Sequence, residues 1–140
     1  MAKNENEVRN DVFGFGNKNE AFAKYFIGTS YLKGLVPSDD NVDISVANVN
    51  FEPGCRNNWH IHHDGYQIIM CTAGEGWYQI EVQPAKLMHP GDVAVFHDGV
   101  KHWHGATKDS WFSHIAVECP GHECSNEWCE PVSDAEYQKL

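Results

Sequence analysis

Turn chemistry recurs through the middle of this chain and leaves room for strands but not for helices of ordinary length. Glu52-Pro53-Gly54, Ala73-Gly74-Glu75-Gly76, His89-Pro90-Gly91-Asp92 and Asp98-Gly99 divide the stretch from Asp43 to Glu118 into short runs. The runs have the two-residue period of strands. Trp77 to Val82 puts Tyr78, Ile80 and Val82 on one face, and Trp111 to Glu118 sets Trp111, Ser113, Ile115 and Val117 against Phe112, His114 and Ala116. Trp59 to His62, Gln67 to Thr72 and Val93 to Phe96 read as further strands. Ile44 to Phe51 changes phase, apolar first at Ile44 and Val46 and then at Val49 and Phe51, which predicts a bulge within it. Many short strands with frequent turns predict an all-β sandwich or barrel.

The flanks read differently. Residues 1–19, rich in Asn and charge, predict a flexible N-terminal segment broken by Phe13-Gly14-Phe15-Gly16. Asn19 is placed to cap a short N-terminal helix through about Phe26, and Ser30 to Lys33 reads as a strand between Gly28 and Gly34. At the other end Ser133 and Glu136 form a capping-box pattern for a short C-terminal helix. The reading is one domain over residues 20–140, with no internal repeat or low-complexity tract.

The 140 residues suffice for one domain with a core, and a hydrophobic content of 41% is that of a globular protein. A net charge of −10 with no basic cluster excludes nucleic acid as a partner. No apolar run approaches the roughly 20 residues that cross a bilayer. Met1 to Asn10 lacks the apolar centre of a secretion signal, so the expectation is a cytoplasmic protein with reduced cysteines. Cys119, His122, Cys124 and Cys129 lack the two-residue spacing of a zinc knuckle and read as free thiols, a second metal site being the alternative.

The chemistry concentrates in Trp59-His60-Ile61-His62, Gln67 and Lys101-His102-Trp103-His104. Histidines two apart on a strand point the same way, so His60 and His62 can hold one metal ion, and Gln67 and His102 supply two more ligands if the strands pair. Nitrogen and oxygen donors suit Mn, Fe, Co, Ni or Zn. Three neutral imidazoles and a neutral amide leave the charge of a divalent ion uncompensated, which makes it a strong Lewis acid for a developing oxyanion. His104 and His114 are the candidate general bases, because an imidazole near a cation resists protonation. Trp59, Trp77 and Phe112 are candidates to line a substrate pocket, with barrel core as the alternative. His63 and His97 read as solvent-facing.

These residues resemble the two motifs of the cupin superfamily. Gly54, five residues, His60-Ile61-His62, four residues, Gln67, six residues and Gly74 follow the first motif, with Gln67 where Glu is usual. Gly91, five residues, His97-Asp98-Gly99, two residues, His102, three residues and Ala106 follow the second, with His97 replacing Pro and Ala106 replacing Asn. The motifs cover residues 54–74 and 91–106. The resemblance implies a jelly-roll (double-stranded β-helix) barrel with His60, His62, Gln67 and His102 as ligands. The surrounding words, among them Phe51-Glu52-Pro53-Gly54 and Ser113-His114-Ile115-Ala116, look like a subgroup of short bacterial cupins that includes manganese-dependent hydroxynitrile lyases. That likeness implies manganese, a base at the position of His114 and a homodimer, for which the apolar segment Tyr25 to Leu35 is a candidate exchange region.

The expected function is a metal-dependent enzyme of lyase type acting on a small carbonyl or hydroxy compound. The alternatives are a non-catalytic metal-dependent binding protein and an iron-dependent oxygenase.

Overall fold

The computed structural model describes residues 2–39, 41–119 and 124–140. In chain order its elements are helix α1 (Glu5–Arg9), β1 (Asn17–Lys18), a 3-10 turn (Ala23–Tyr25), β2 (Phe26–Ile27), β3 (Ser30–Val36), β4 (Ser45–Phe51), β5 (Arg56–Asn57) and β6 (His60–His63). They continue with β7 (Tyr66–Gly74), β8 (Gly76–Ile80), β9 (Lys86–Met88), β10 (Val93–Phe96), β11 (His102–Ala106), β12 (Phe112–Cys119), β13 (Ser125–Trp128) and helix α2 (Asp134–Tyr137). One sheet has the order β1-β3-β4-β12-β7-β10; the other runs β13-β6-β11-β5-β2, with β8 pairing β11 and β9 pairing β8. The strand pairs are antiparallel, as the turn-rich sequence predicts for a sandwich or barrel.

The core lies between the two sheets. Val49, Phe51, Ile69, Cys71, Ala94, Phe96, Phe112 and Ala116 from the first meet Met88, Ala106 and Cys55 from the second. Burying these side chains stabilises the fold by about 1.5–3 kcal/mol for each large one.

β4 explains its own change of phase. Ala47, Val49 and Phe51 face the core. The opposite face is also covered: Asn48 Nδ2 donates to Gly14 O at 2.7 Å and Asn50 Nδ2 to Phe15 O at 2.8 Å. A strand buried on both faces shows no simple alternation. The bulge predicted within residues 44–51 lies instead in the partner strand, where Leu35 is the extra residue between the Gly34–Ala47 and Val36–Val46 pairs.

The N-terminal segment, expected to be flexible, packs on that outer face. Val8 is fully buried with Ala73 and Trp111, and the Arg9 guanidinium lies 5.0 Å from the rings of Phe15 and of Trp111. Asn-rich composition reads as loop, and only the partners on β4 reveal what holds it. The helix expected after Asn19 is reduced to one 3-10 turn. Asn19 Oδ1 does accept from Phe22 N at 3.2 Å, but the chain then pairs Phe26 and Ile27 with β5. The N-terminal helix is α1, whose Glu5 and Arg9 form an i,i+4 ion pair of 2.8 Å. Within the segment Tyr25 to Leu35, β3 is flanked by both β4 and β1, whereas β2 ends the second sheet beside β5.

At the C-terminus the cap forms as predicted, Ser133 Oγ accepting from Glu136 N at 3.1 Å. The buried Arg56 fastens this helix to the barrel by donating to Val132 O at 2.9 Å and to Asp134 Oδ1 at 2.6 Å.

Candidate metal centre

β6 turns His60 and His62 inward, and β11 runs beside it with His102 opposite His60. The buried Gln67 enters from β7 in the other sheet. The ligand atoms of His60, His62 and His102 all lie within 4.8 Å of one another. Gln67 Oε1 sits 3.2 Å from His62 Nε2 and 3.1 Å from His102 Nε2.

The far ring nitrogens decide the chemistry. His60 Nδ1 lies 2.8 Å from Asn58 O, and His102 Nδ1 lies 3.0 Å from Val100 O. A carbonyl oxygen only accepts, so each Nδ1 carries its proton and Nε2 keeps a bare lone pair. His62 Nδ1 is held in the same way by Asn126 Oδ1 at 2.7 Å. Gln67 Nε2 donates to Glu118 Oε1 at 3.2 Å, which turns the amide oxygen toward the imidazoles. Lone pairs therefore converge with no proton between them, an arrangement that a divalent cation satisfies. The four residues fit a nitrogen- and oxygen-ligated ion of the kind the sequence implied.

His104 follows on β11, two residues beyond His102. Its backbone N–H donates to Asn57 Oδ1 at 3.0 Å, and Asn57 Nδ2 lies 3.3 Å from the ring nitrogens. His114, fully buried on β12, packs edge-on to His104 with centroids 4.9 Å apart and stacks on Phe112 at 4.6 Å. Among the described residues, neither ring nitrogen of His114 has a hydrogen-bond partner.

Burial holds these imidazoles neutral. It pushes His60 down to about 4, His114 to about 3 and His102 to about 2, and holds His104 well below the ordinary histidine range. Because the folded values are depressed, the unfolded chain binds more protons once the pH drops below about 6.5. The metal-free protein is therefore expected to lose stability on acidification from pH 7.5 to 5.5, by up to roughly 1.4 kcal/mol per pH unit for each such histidine. Guanidinium unfolding at the two pH values measures this; an equal or higher midpoint at pH 5.5 contradicts it.

A cavity of about 190 Å³ opens over the triad. Its lining includes the polar His60, His62, Gln67, His104, Asn57 and Glu118 and the apolar Phe26, Val49, Phe51, Ala116 and Trp128. This corrects the predicted pocket. Trp59 and Trp77 pack on the outer side of the second sheet with Trp103, Val132 and Tyr137, under the C-terminal helix. Strand parity accounts for this, since Trp59 neighbours the inward His60 and Trp77 neighbours Tyr78, which packs against the core. Phe112 points inward but belongs to the core beside His114, not to the cavity lining. Of the residues not singled out from sequence, Glu118 shares the inward phase of His114 and Ala116 and was legible. Asn57, Asn126 and Trp128 carried no signal, because only the pairing of β5 and β13 with their neighbours brings them here.

His63, read as solvent-facing, is half-exposed and pairs with Glu127 at 2.7 Å. In the Cys119, His122, Cys124 and Cys129 group, His122 lies outside the described residues, and so does the side chain of Cys119.

Residues 47–117 match the cupin domain family. The chain is 38% identical over 117 residues to an (R)-mandelonitrile lyase of Granulicella tundricola, a match covering 84% of this chain and 88% of the lyase. A cupin-like protein of Thermotoga maritima superposes with a TM-score of 0.85 at 38% identity, over 92% of this chain and 96% of that one. A cupin 2 conserved barrel protein of Rhodopseudomonas palustris shares the fold alone, at 14% identity and a TM-score of 0.67 over 89% of this chain and 83% of that one. The chain belongs to the cupin family.

Proposed function

We propose that this cupin is a lyase that uses one divalent metal, manganese by the resemblance read in the sequence, to cleave a small hydroxynitrile into a carbonyl compound and cyanide. The observation that carries the reading is the convergence of proton-free imidazole nitrogens and one amide oxygen beneath a small, largely apolar cavity. When bound, the ion acts as a Lewis acid that holds the substrate oxygen and lowers the pKa of its hydroxyl. The relative in Granulicella is named for mandelonitrile, whose aromatic ring suits walls made by Phe26, Phe51 and Trp128.

The protein's own residues handle the proton. His104 lines the cavity, and His114 lies against it with unpaired nitrogens. Leaving a buried polar group unpaired costs about 1–3 kcal/mol, and a role in moving the proton accounts for keeping His114. A neutral imidazole of this pair takes the hydroxyl proton as the C=O bond forms. The bond to the nitrile carbon breaks, cyanide leaves with the electron pair, and the imidazolium returns the proton to give hydrogen cyanide. The test loads the protein with manganese and measures benzaldehyde and cyanide released from mandelonitrile. His114→Ala is expected to lower turnover by about 100-fold or more with metal content unchanged. Full activity in that variant would remove His114 from the mechanism. Release no faster than from a His60→Ala/His62→Ala variant would remove the lyase reading. Oxygen consumption with iron would instead favour an oxygenase.

The partner we propose is a second copy of this chain. Val95, Ile68, Val117, Val46 and Val36 form one row across five strands on the outer face of the first sheet, with Val95 44% and Val36 36% exposed. That row holds no charge in a chain of net charge −10. Light scattering is expected to give the mass of a dimer and, for Val95→Lys, that of a monomer. A monomeric wild type would end the proposal.

A further inference from the structure

We infer that Glu118 is a positioning residue for the metal, acting through the side-chain amide of Gln67. The inference rests on the metal reading above and goes beyond it. Glu118 and Gln67 are directly opposed on β12 and β7, and both side chains line the cavity. Gln67 Nε2 donates to Glu118 Oε1 at 3.2 Å, while Gln67 Oε1 faces His62 Nε2 and His102 Nε2.

A glutamine has two unlike ends. In the orientation seen, its oxygen joins the ligand set. Rotated by half a turn, its NH2 group would donate to the bare Nε2 atoms of His62 and His102. That alternative satisfies the imidazole lone pairs with the protein's own donors and blocks a cation. The Glu118 carboxylate has no proton to give, so the rotated amide would set carbonyl oxygen against carboxylate oxygen. Glu118 thereby selects the metal-ready orientation. It also restores, one bond network further out, the negative charge that a glutamate ligand would have supplied.

A double-mutant cycle separates this role from a merely structural one. The readout is Co²⁺ titration of metal-stripped protein, followed by the visible bands of the bound ion. Glu118→Ala is expected to weaken Co²⁺ binding by about 10- to 100-fold. Glu118→Gln, whose carbonyl still accepts from Gln67, is expected to lose less. In a Gln67→Glu background the ligand has no donor end and faces Glu118 with like charge, so Glu118→Ala is expected to cause no loss of affinity. Equal losses in the two backgrounds, or equal losses for the Ala and Gln variants, would overturn the assignment. A wild type that binds no Co²⁺ would overturn it together with the metal reading. A wild type that binds Co²⁺ and follows the cycle without cleaving mandelonitrile would end the lyase reading and leave Glu118 in its role.

Discussion

His102→Ala is expected to strip the protein of its metal and bring turnover to background. His102 is fully buried, stacks on Phe96 with centroids 3.8 Å apart, and is fixed by Val100 O so that Nε2 faces the site. Its removal leaves two imidazoles and an amide; the ring of His104 lies against Asn57 Nδ2 at 3.3 Å, and its centroid is 6.5 Å from that of His102. The loss of affinity should exceed the about 10- to 100-fold typical of removing a supporting group. The cavity left behind costs about 2–4 kcal/mol of stability, comparable to other large-to-small changes in a core. Metal content after dialysis and a thermal melt separate the two effects. His63→Ala, on the neighbouring strand β6 and paired with Glu127, is the control and should change neither. Retention of stoichiometric metal by His102→Ala would show that the triad is not the ion's seat.

Gly74→Ala is expected to damage the fold itself. Gly74 has φ +75°, and a Cβ there would lie 1.8 Å from Trp111 O and 2.7 Å from its carbonyl carbon. That carbonyl also accepts from Glu75 N at 3.1 Å and from Ser110 Oγ at 2.7 Å. The alanine must take a left-handed conformation, at about 1–2 kcal/mol, and push away the backbone that opens β12. The sum is at least about 3 kcal/mol, or a melting point lower by about 10 °C. Gly91→Ala makes the comparison: φ is +98°, but nothing lies within 4 Å of the added carbon, so only the backbone strain of about 1–2 kcal/mol applies. Equal melting points for the two variants would show that steric contact at Trp111 is not what requires Gly74.

Both substitutions fall in motif positions, and the motif is legible because strand geometry is local. Side chains two apart share a face whatever the rest of the chain does, so His60 with His62 and His102 with His104 could be paired on paper. The same parity shows that Trp59 and Trp103 turn outward, and it marks Glu118 as inward beside His114 and Ala116. Capping is equally local, which is why Ser133 and Glu136 behave as read.

What a single strand could not reveal is which strands come together. Asn126 and Trp128 reach the site only because β13 returns to pair with β6. Asn57 meets His104 only through the pairing of β5 with β11. The N-terminal residues read as loop because their ties, to Asn48 and Asn50, lie more than thirty positions away in the chain. The amino-acid sequence alone determined the β architecture, the histidine faces and the ligand types, since these follow from period, turn chemistry and side-chain inventory. Tertiary structure alone decided which lone pairs stay bare, which way Gln67 points and what lines the cavity, because each depends on hydrogen-bond partners brought in from distant strands.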